Sequence, residues 1–275
     1  MSGRMRGSSR WIFFLVAIGL GSVSGCLGIY SADGFQAAVF GDTANGAFLG
    51  GASIATEGTG YRVHRDWIPR HRGFASEGIA QWVVRAYAKV DQRYPGSCAY
   101  LGDLSKRGGG RISRHRSHTN GRDIDFFFYA RSPEVGPLCA LPAIPRFDEH
   151  GGFVSWASPL KLAKRDVPLP SIHFDVERNW TLIESLIGDA KVSVQWIFID
   201  QGLAALLIDH AKRTRVSPRV IALASALMRQ PSDSAAHDDH MHIRVFCAVE
   251  DRKWGCVDKG PKRWWKKHWK WLAGS

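Results

Sequence analysis

The chain has 275 residues and a formal net charge of +12, with 45% hydrophobic and 11% aromatic side chains. This length can bury a substantial core in one large domain or two small ones, and the ordinary globular composition excludes a chain that is disordered throughout. Three basic residues precede residue 11 and six more lie in 259–270, so the charge belongs to the two ends of the chain. The body between them is close to neutral.

The N-terminus has the pattern of an export signal. Three arginines precede an apolar run of ten residues over 11–20, which is too short to cross roughly 30 Å of hydrocarbon. We therefore interpret residues 1–25 as a signal peptide. The following VSGC resembles a bacterial lipoprotein cleavage box, which would make Cys26 the lipidated first residue and anchor the protein to a membrane in the periplasm. The alternative is ordinary cleavage after small residues, which leaves Cys26 as a spare thiol.

The remaining cysteines are even in number, as expected of an exported chain with disulfides. They are Cys98, Cys139, Cys247 and Cys256, which allow two disulfides. Cys247 and Cys256 are nine residues apart just after a predicted strand, so we favour this pair.

Between these features, helices and strands alternate unevenly. Residues 76–94 carry apolar side chains at helical spacing with Ser76 as a candidate N-cap. Further helices are predicted over a short segment capped by Asn179, over 203–211, and from Pro218 through 228; strands are predicted over 124–130, 192–200 and 240–246. The proline-rich segment 133–170 is predicted to be loop over the core. This order favours an α+β fold with a central antiparallel sheet, flanking helices and long loops.

The segment HMHIRVF follows the alternation of a strand with one apolar face. Met241, Ile243 and Val245 share that face, and His240 and His242 lie side by side on the other. The two imidazole rings can therefore converge on one point.

The segment RHRSHTNGRDID holds a second polar cluster. Asp123 and Asp125 share one face of the strand that begins there, and Asn120-Gly121 provides a turn after His118. A histidine on a turn and a carboxylate on the adjoining strand can reach the same ion. Three ligands of the His/Asp/His kind leave a fourth zinc position for water, which is typical of catalytic zinc.

A chance grouping is the alternative, because the chain contains 11 histidines. Five of them fall within 115–118 and 237–242, next to predicted strands, which favours a metal site. The other six are interpreted as ordinary surface or core residues; they are His64, His71, His150, His173, His210 and His268. Asp123 could also simply cap a turn.

These two segments resemble the penicillin-insensitive murein endopeptidases, a branch of the zinc peptidases that includes lysostaphin, D-Ala-D-Ala metallopeptidases and hedgehog domains. The resemblance lies in the SHxxGxDxD pattern from Ser117 to Asp125 and the HxxHMH pattern from His237 to His242. It covers about residues 40 to 256, except 133–170. The resemblance then divides the chain into three parts, which are the signal peptide, a single zinc peptidase domain over 26–258 and a basic tail over 259–275.

The resemblance implies a role for each residue. His118, Asp125 and His242 would hold Zn²⁺, His240 would be the general base, and His115 and His237 would bind substrate or stabilise the tetrahedral intermediate. It also implies a reaction, which is hydrolysis of the D-alanyl to meso-diaminopimelyl amide crosslink of peptidoglycan by a metal-bound water. A β-lactam would find no serine nucleophile to acylate.

Two other functions remain open. A D-Ala-D-Ala carboxypeptidase of the same superfamily typically has a glutamate as base, where this chain has His240. A non-catalytic peptidoglycan-binding module would have lost ligands, and none is missing from these patterns.

The tail departs from the family, because tryptophan alternates with lysine over 262–272. On a helix, this pattern favours an anionic membrane surface. A solvated tail, or one whose tryptophans pack on the body, remains an alternative. A basic aromatic stretch could also bind nucleic acid, and the export signal argues against that partner.

Overall fold

The computed structural model describes residues 29–31, 37–139, 141–157 and 170–260. The predicted signal peptide, Cys26 and the tail from residue 261 onward lie outside these ranges. Within the described ranges, no helix has both the length and the apolar character needed to cross a membrane.

The described residues form four α-helices, and the sequence predicts each of them. They are α1 (Glu77–Arg93), α2 (Val176–Ile187), α3 (Gln201–Arg213) and α4 (Pro218–Leu227). Ser76 occupies the N-cap position of α1, as expected, and Ser217 occupies that of α4, although neither side chain caps a backbone N–H. Two short 3₁₀ helices span Ile68–Arg70 and Glu250–Trp254.

The prediction that Asn179 caps α2 is wrong. Asp175 is the cap, and its carboxylate accepts the backbone N–H of Arg178. Asn179 lies inside the helix, where its side-chain amide hydrogen-bonds both backbone polar groups of Tyr129. An asparagine can satisfy a neighbouring strand end as well as a helix end, and sequence does not distinguish these uses.

The strands of the described residues are short. They are β1 (Ile29–Ser31), β2 (Ala38–Gly41), β3 (Gly46–Leu49), β4 (Ala52–Ile54), β5 (Glu57–Gly58), β6 (Tyr61–Val63), β7 (Phe74–Ala75), β8 (Ala99–Leu101), β9 (Asp123–Phe127), β10 (Ala130–Ser132), β11 (Gly136–Leu138), β12 (Pro145–Phe147), β13 (Phe153–Trp156), β14 (His173–Phe174), β15 (Val194–Phe198), β16 (Met228–Arg229) and β17 (His240–Val245). The prediction of loop over 133–170 is wrong in part, because β11 pairs with β10 and β12 pairs with β13.

The main sheet has seven strands in the order β16-β15-β17-β9-β8-β6-β5. Its centre is antiparallel, as predicted, because β17 lies antiparallel between β15 and β9. Towards its edges the sheet is mixed, since β15 pairs parallel with β16 and β6 pairs parallel with β8. The fold is therefore α+β with a mixed, open sheet.

One face of this sheet packs against the helices. Met241, Ile243 and Val245 are at most 1% exposed and belong to the same core as Phe126 and Trp82. Burying a side chain of this size contributes roughly 1.5–3 kcal/mol, so the apolar alternation fixes the register of β17. The polar residues of β17 are consequently held on the opposite face.

The C-terminal part of the domain fastens the N-terminal hairpin β2–β3. Cys247 and Cys256 form a disulfide, which confirms the favoured pair. The backbone of the loop closed by this disulfide bonds the hairpin, as in Gly41 N to Gly255 O at 3.0 Å. Cys98 and Cys139 carry free thiols, so the described part of the chain does not contain the second predicted disulfide.

Candidate metal centre

The register of β17 on β9 brings the two histidine clusters together. His242 lies opposite Asp125, and Arg244 lies opposite Asp123. His240 faces Phe127 one step further along. Two motifs more than a hundred residues apart therefore form neighbouring rows on one sheet face, as the alternation of both segments predicts.

His118 reaches this face from a tightly held turn. Its backbone is left-handed, with φ of 66°. Its N–H donates to Asp123 Oδ2 at 3.1 Å, so Asp123 does cap the turn. Its Nδ1 lies 2.7 Å from the carbonyl oxygen of Leu104. A carbonyl only accepts, so Nδ1 carries the proton and Nε2 presents a lone pair.

The lone pair of His118 faces a carboxylate oxygen. His118 Nε2 lies 3.2 Å from Asp125 Oδ1, and His242 Nδ1 lies 3.4 Å from the same oxygen. His118 Nε2 and Asp125 Oδ1 are buried and have no hydrogen-bond partner. Two buried acceptors at this distance repel unless a proton or a cation lies between them. This donor set of nitrogen and oxygen atoms fits a zinc ion.

Asp123 lies on the other side of the His242 ring. His242 Nε2 lies 3.3 Å from Asp123 Oδ1, outside hydrogen-bond geometry. Arg244 holds the same carboxylate through two hydrogen bonds, of 2.7 and 3.2 Å. A carboxylate behind a histidine is the usual arrangement around a metal-ligating imidazole.

His115 also lies at the cluster. Its ring centroid is 4.4 Å from that of His118, and His115, His118 and Asp125 offer atoms that all lie within 4.8 Å of one another. These three residues could hold a metal ion. His115 Nε2 is 3.0 Å from Asp103 Oδ2, and Arg72 donates to that oxygen at 2.8 Å.

His237 and His240 complete the group of six residues that the sequence selects. Their ring centroids are 5.3 Å apart, and that of His237 is 6.1 Å from His242. His240 Nε2 lies 3.7 Å from Asp125 Oδ1, whereas its Nδ1 lies 2.5 Å from Asp239 Oδ1. Every predicted site residue is thus at the same location.

Burial and charge move the pKa values of these residues in opposite directions. Burial would lower the pKa of His118, but the facing carboxylates of Asp125 and Asp123 raise it. Burial would also lower the pKa of His240, but the carboxylates of Asp239 and Asp125 outweigh burial and raise this pKa to about 9. Two causes lower the pKa of His237 to about 4, of which burial is the larger and the nearby His240 is the next.

The carboxylates respond to the same balance. Burial would raise the pKa of Asp125, but the surrounding histidines, His118 first, hold it well below its usual range. For Asp123, Arg244 is the first of the groups that outweigh burial, and the pKa again lies well below its ordinary value. Both carboxyl groups are therefore ionised at neutral pH, and Asp125 is the one whose Oδ1 has no hydrogen-bond partner.

The structure adds partners that the sequence motifs do not select. Asp103 supports His115, Asp239 supports His240, and Gln230 Oε1 lies 3.1 Å from His237 Nδ1. Asp239 stands inside the HDDH motif and adjacency could have selected it. Asp103 and Gln230 lie 12 and 7 residues before the histidines that they contact, outside the motifs, and no local signal marks them.

The other described histidines are held apart from the cluster. His64 is buried, with Nε2 3.2 Å from the carbonyl oxygen of Pro142, whereas His150 is largely exposed. His268 lies outside the described residues.

An α+β fold with a carboxylate and five imidazoles on one sheet face is compatible with a metal-dependent hydrolase. Residues 39–137 match the model of a family described as penicillin-insensitive murein endopeptidase. This confirms the resemblance over a segment that runs from β2 to β11 and includes His115, His118 and Asp125. No curated protein matches the chain.

Proposed function

We propose that this protein is a zinc-dependent murein endopeptidase that hydrolyses the D-alanyl to meso-diaminopimelyl amide crosslink of peptidoglycan. The carrying observation is the buried, unpartnered pair of His118 Nε2 and Asp125 Oδ1, with His242 Nδ1 beside it. The family match over 39–137 supports a peptidase that acts on peptidoglycan.

In this proposal, His118 Nε2, Asp125 Oδ1 and His242 Nδ1 would hold the metal. When bound, zinc would supply a water that is acidic near neutral pH. His115 is the other candidate ligand, because it lies within reach of His118 and Asp125. We favour His242 because Asp123 lies behind its ring, as a supporting carboxylate does behind a metal ligand.

His240 is proposed to move the proton. Its Nδ1 is held by Asp239 at 2.5 Å, which leaves Nε2 directed towards Asp125 Oδ1 at 3.7 Å. In the metal-free state Asp239 and Asp125 raise the pKa of this imidazole, and a cation held at Asp125 would offset part of that effect. His240 would then accept a proton at Nε2 and return it to the leaving amine. His115 is proposed to contact substrate from the Asp103 side of the cluster.

The proposed location is the periplasm, with the lipidated Cys26 as anchor and the tail as a second contact with an anionic membrane surface. The export pattern of residues 1–25 supports this proposal, and peptidoglycan is the partner that the site would meet there.

Purified crosslinked muropeptide dimers test the function directly. The wild-type protein should convert dimers to monomers, a chelator should abolish the conversion, and added zinc should restore it. His240→Ala should lower the rate by about 10²–10⁴-fold, the usual contribution of acid–base catalysis. His150→Ala, which removes a largely exposed histidine, should leave the rate unchanged.

Each rival has its own product. Release of terminal D-Ala alone would identify a carboxypeptidase, and binding of dimers without cleavage would identify a non-catalytic module. Either result would overturn the proposed endopeptidase.

A further inference from the structure

Gln230 lies beside the histidine cluster at the end of β16 and contacts His237 twice. Its Oε1 is 3.0 Å from the backbone N of His237 and 3.1 Å from His237 Nδ1. The backbone N–H can only donate, so the atom of Gln230 that faces His237 is the amide oxygen.

The opposite end of the same amide is fixed just as firmly. Gln230 Nε2 lies 3.0 Å from the carbonyl oxygen of Pro231 and 3.0 Å from that of Ala235. It lies 3.3 Å from Ser234 Oγ as well. Rotating the amide by half a turn would place its oxygen against two carbonyl oxygens and its NH₂ against the His237 N–H. The contacts therefore admit only one orientation.

This orientation determines which nitrogen of His237 carries the proton. The amide oxygen of Gln230 only accepts, so His237 Nδ1 must donate to it. In the neutral imidazole, Nε2 then keeps its lone pair. His237 consequently faces the cluster as an acceptor, not as the hydrogen-bond donor that stabilisation of a developing oxyanion needs.

We infer that Gln230 is a positioning residue that holds His237 in the Nδ1-protonated form, so that His237 Nε2 accepts a hydrogen bond or proton at the active centre. The meaning of this inference for catalysis rests on the proposed function. Of the two roles that the family resemblance implies for His237, the inference replaces stabilisation of the tetrahedral intermediate. The groups that His237 would recognise are donors, such as a water or an amide N–H of the peptide.

The test combines a spectroscopic and a kinetic measurement on Gln230→Met, which keeps the side-chain length and removes the acceptor. Nitrogen-15 NMR of histidine-labelled protein reports which ring nitrogen of His237 is protonated, with His237→Asn to assign the signals. The wild-type protein should show Nδ1 protonated and Nε2 bare. Gln230→Met should lose this preference and lower kcat by about 10-fold or more, with KM changed less than about twofold.

Two further variants guard against a trivial loss of fold. Gln230→Glu keeps an acceptor facing His237 Nδ1 and, like Gln230→Met, loses the donors to the carbonyl oxygens of Pro231 and Ala235. A loss of stability that both variants share therefore comes from those lost bonds, whereas His237 should remain protonated at Nδ1 only in Gln230→Glu. Gln201→Met makes the same chemical change at an exposed glutamine lining the same cavity as Gln230, and should leave both signals and rate unchanged.

The outcomes separate this inference from the proposed function. A wild-type His237 protonated at Nε2, or a Gln230→Met protein with wild-type tautomer and kcat, would overturn the role of Gln230 alone. A confirmed tautomer in a wild-type protein that cleaves no dimer would instead leave the positioning of His237 intact and remove the endopeptidase.

Discussion

His118 occupies a backbone conformation that is unfavourable for a histidine. Its φ of 66° costs on the order of 1–3 kcal/mol for a residue with a Cβ, and the surrounding hydrogen bonds must hold it there. The carboxylate of Asp123 and the carbonyl of Leu104 provide this restraint. In this conformation Nε2 of His118 faces the carboxylate of Asp125.

Zinc stoichiometry distinguishes the two candidate ligand sets at the scale of single residues. His118→Ala and His242→Ala should each abolish the binding of one equivalent of zinc, because each removes a ligand. His115→Ala should retain the equivalent, since His115 is proposed to contact substrate. Metal analysis after dialysis measures this directly. If His242→Ala kept the zinc and His115→Ala lost it, His115 would be the metal ligand and His242 would not.

The buried pair of Asp123 and Arg244 should make the free energy of unfolding fall at acidic pH. The folded-state pKa of Asp123 lies well below its ordinary value, so its contribution is complete above the unfolded pKa of about 3.9 and is lost as the pH falls further. Asp123→Asn leaves Arg244 without its carboxylate and should cost about 3–5 kcal/mol at pH 7. At pH 3 the difference from wild type should shrink by about 1 kcal/mol.

Denaturant unfolding of metal-free protein at both pH values measures this difference. Asp209→Asn is the matched control, because that carboxylate pairs with Lys212 on the surface and should change stability by less than about 1 kcal/mol. A difference for Asp123→Asn that is equal at pH 3 and pH 7 would contradict the linkage.

At the scale of elements, strand alternation and helix periodicity were sufficient to predict most of the structure near the site. The apolar residues of β17 and the spacing of its histidines fix one face for packing and the other for chemistry. The edges of the sheet were not predictable in this way. Strands of two or three residues such as β5 and β16 carry too little pattern, and long-range pairing decides them.

The Cys247–Cys256 disulfide should stabilise the C-terminal loop that holds the β2–β3 hairpin. Replacing both cysteines with serine opens a loop of about ten residues, and should cost about 2–3 kcal/mol of unfolding free energy. Thermal or denaturant unfolding under non-reducing conditions tests this. The double variant Cys98→Ser/Cys139→Ser removes no bond between sulfurs and should cost less. An equal cost for both would show that the disulfide adds nothing.

At the scale of the whole molecule, the motifs indicated one shared site, and the structure gives the reason that they meet. The direct pairing of β9 with β17 joins residues 123–127 to residues 240–245. The partners that orient the imidazoles were not predictable, because Asp103 and Gln230 reach the cluster only through tertiary packing. Sequence pattern thus predicted which residues meet at the cluster, while the hydrogen bonds that set their protonation required the fold.

The central claim is that His118, Asp125 and His242 share one metal ion. Anomalous X-ray diffraction at the zinc edge from crystals of the zinc-loaded protein tests it most directly. The account predicts a single strong peak within about 2.2 Å of His118 Nε2, an oxygen of Asp125 and His242 Nδ1, the ordinary distance for zinc ligands. A zinc-loaded crystal without a peak between these three side chains, or with a peak held by other residues, would contradict it.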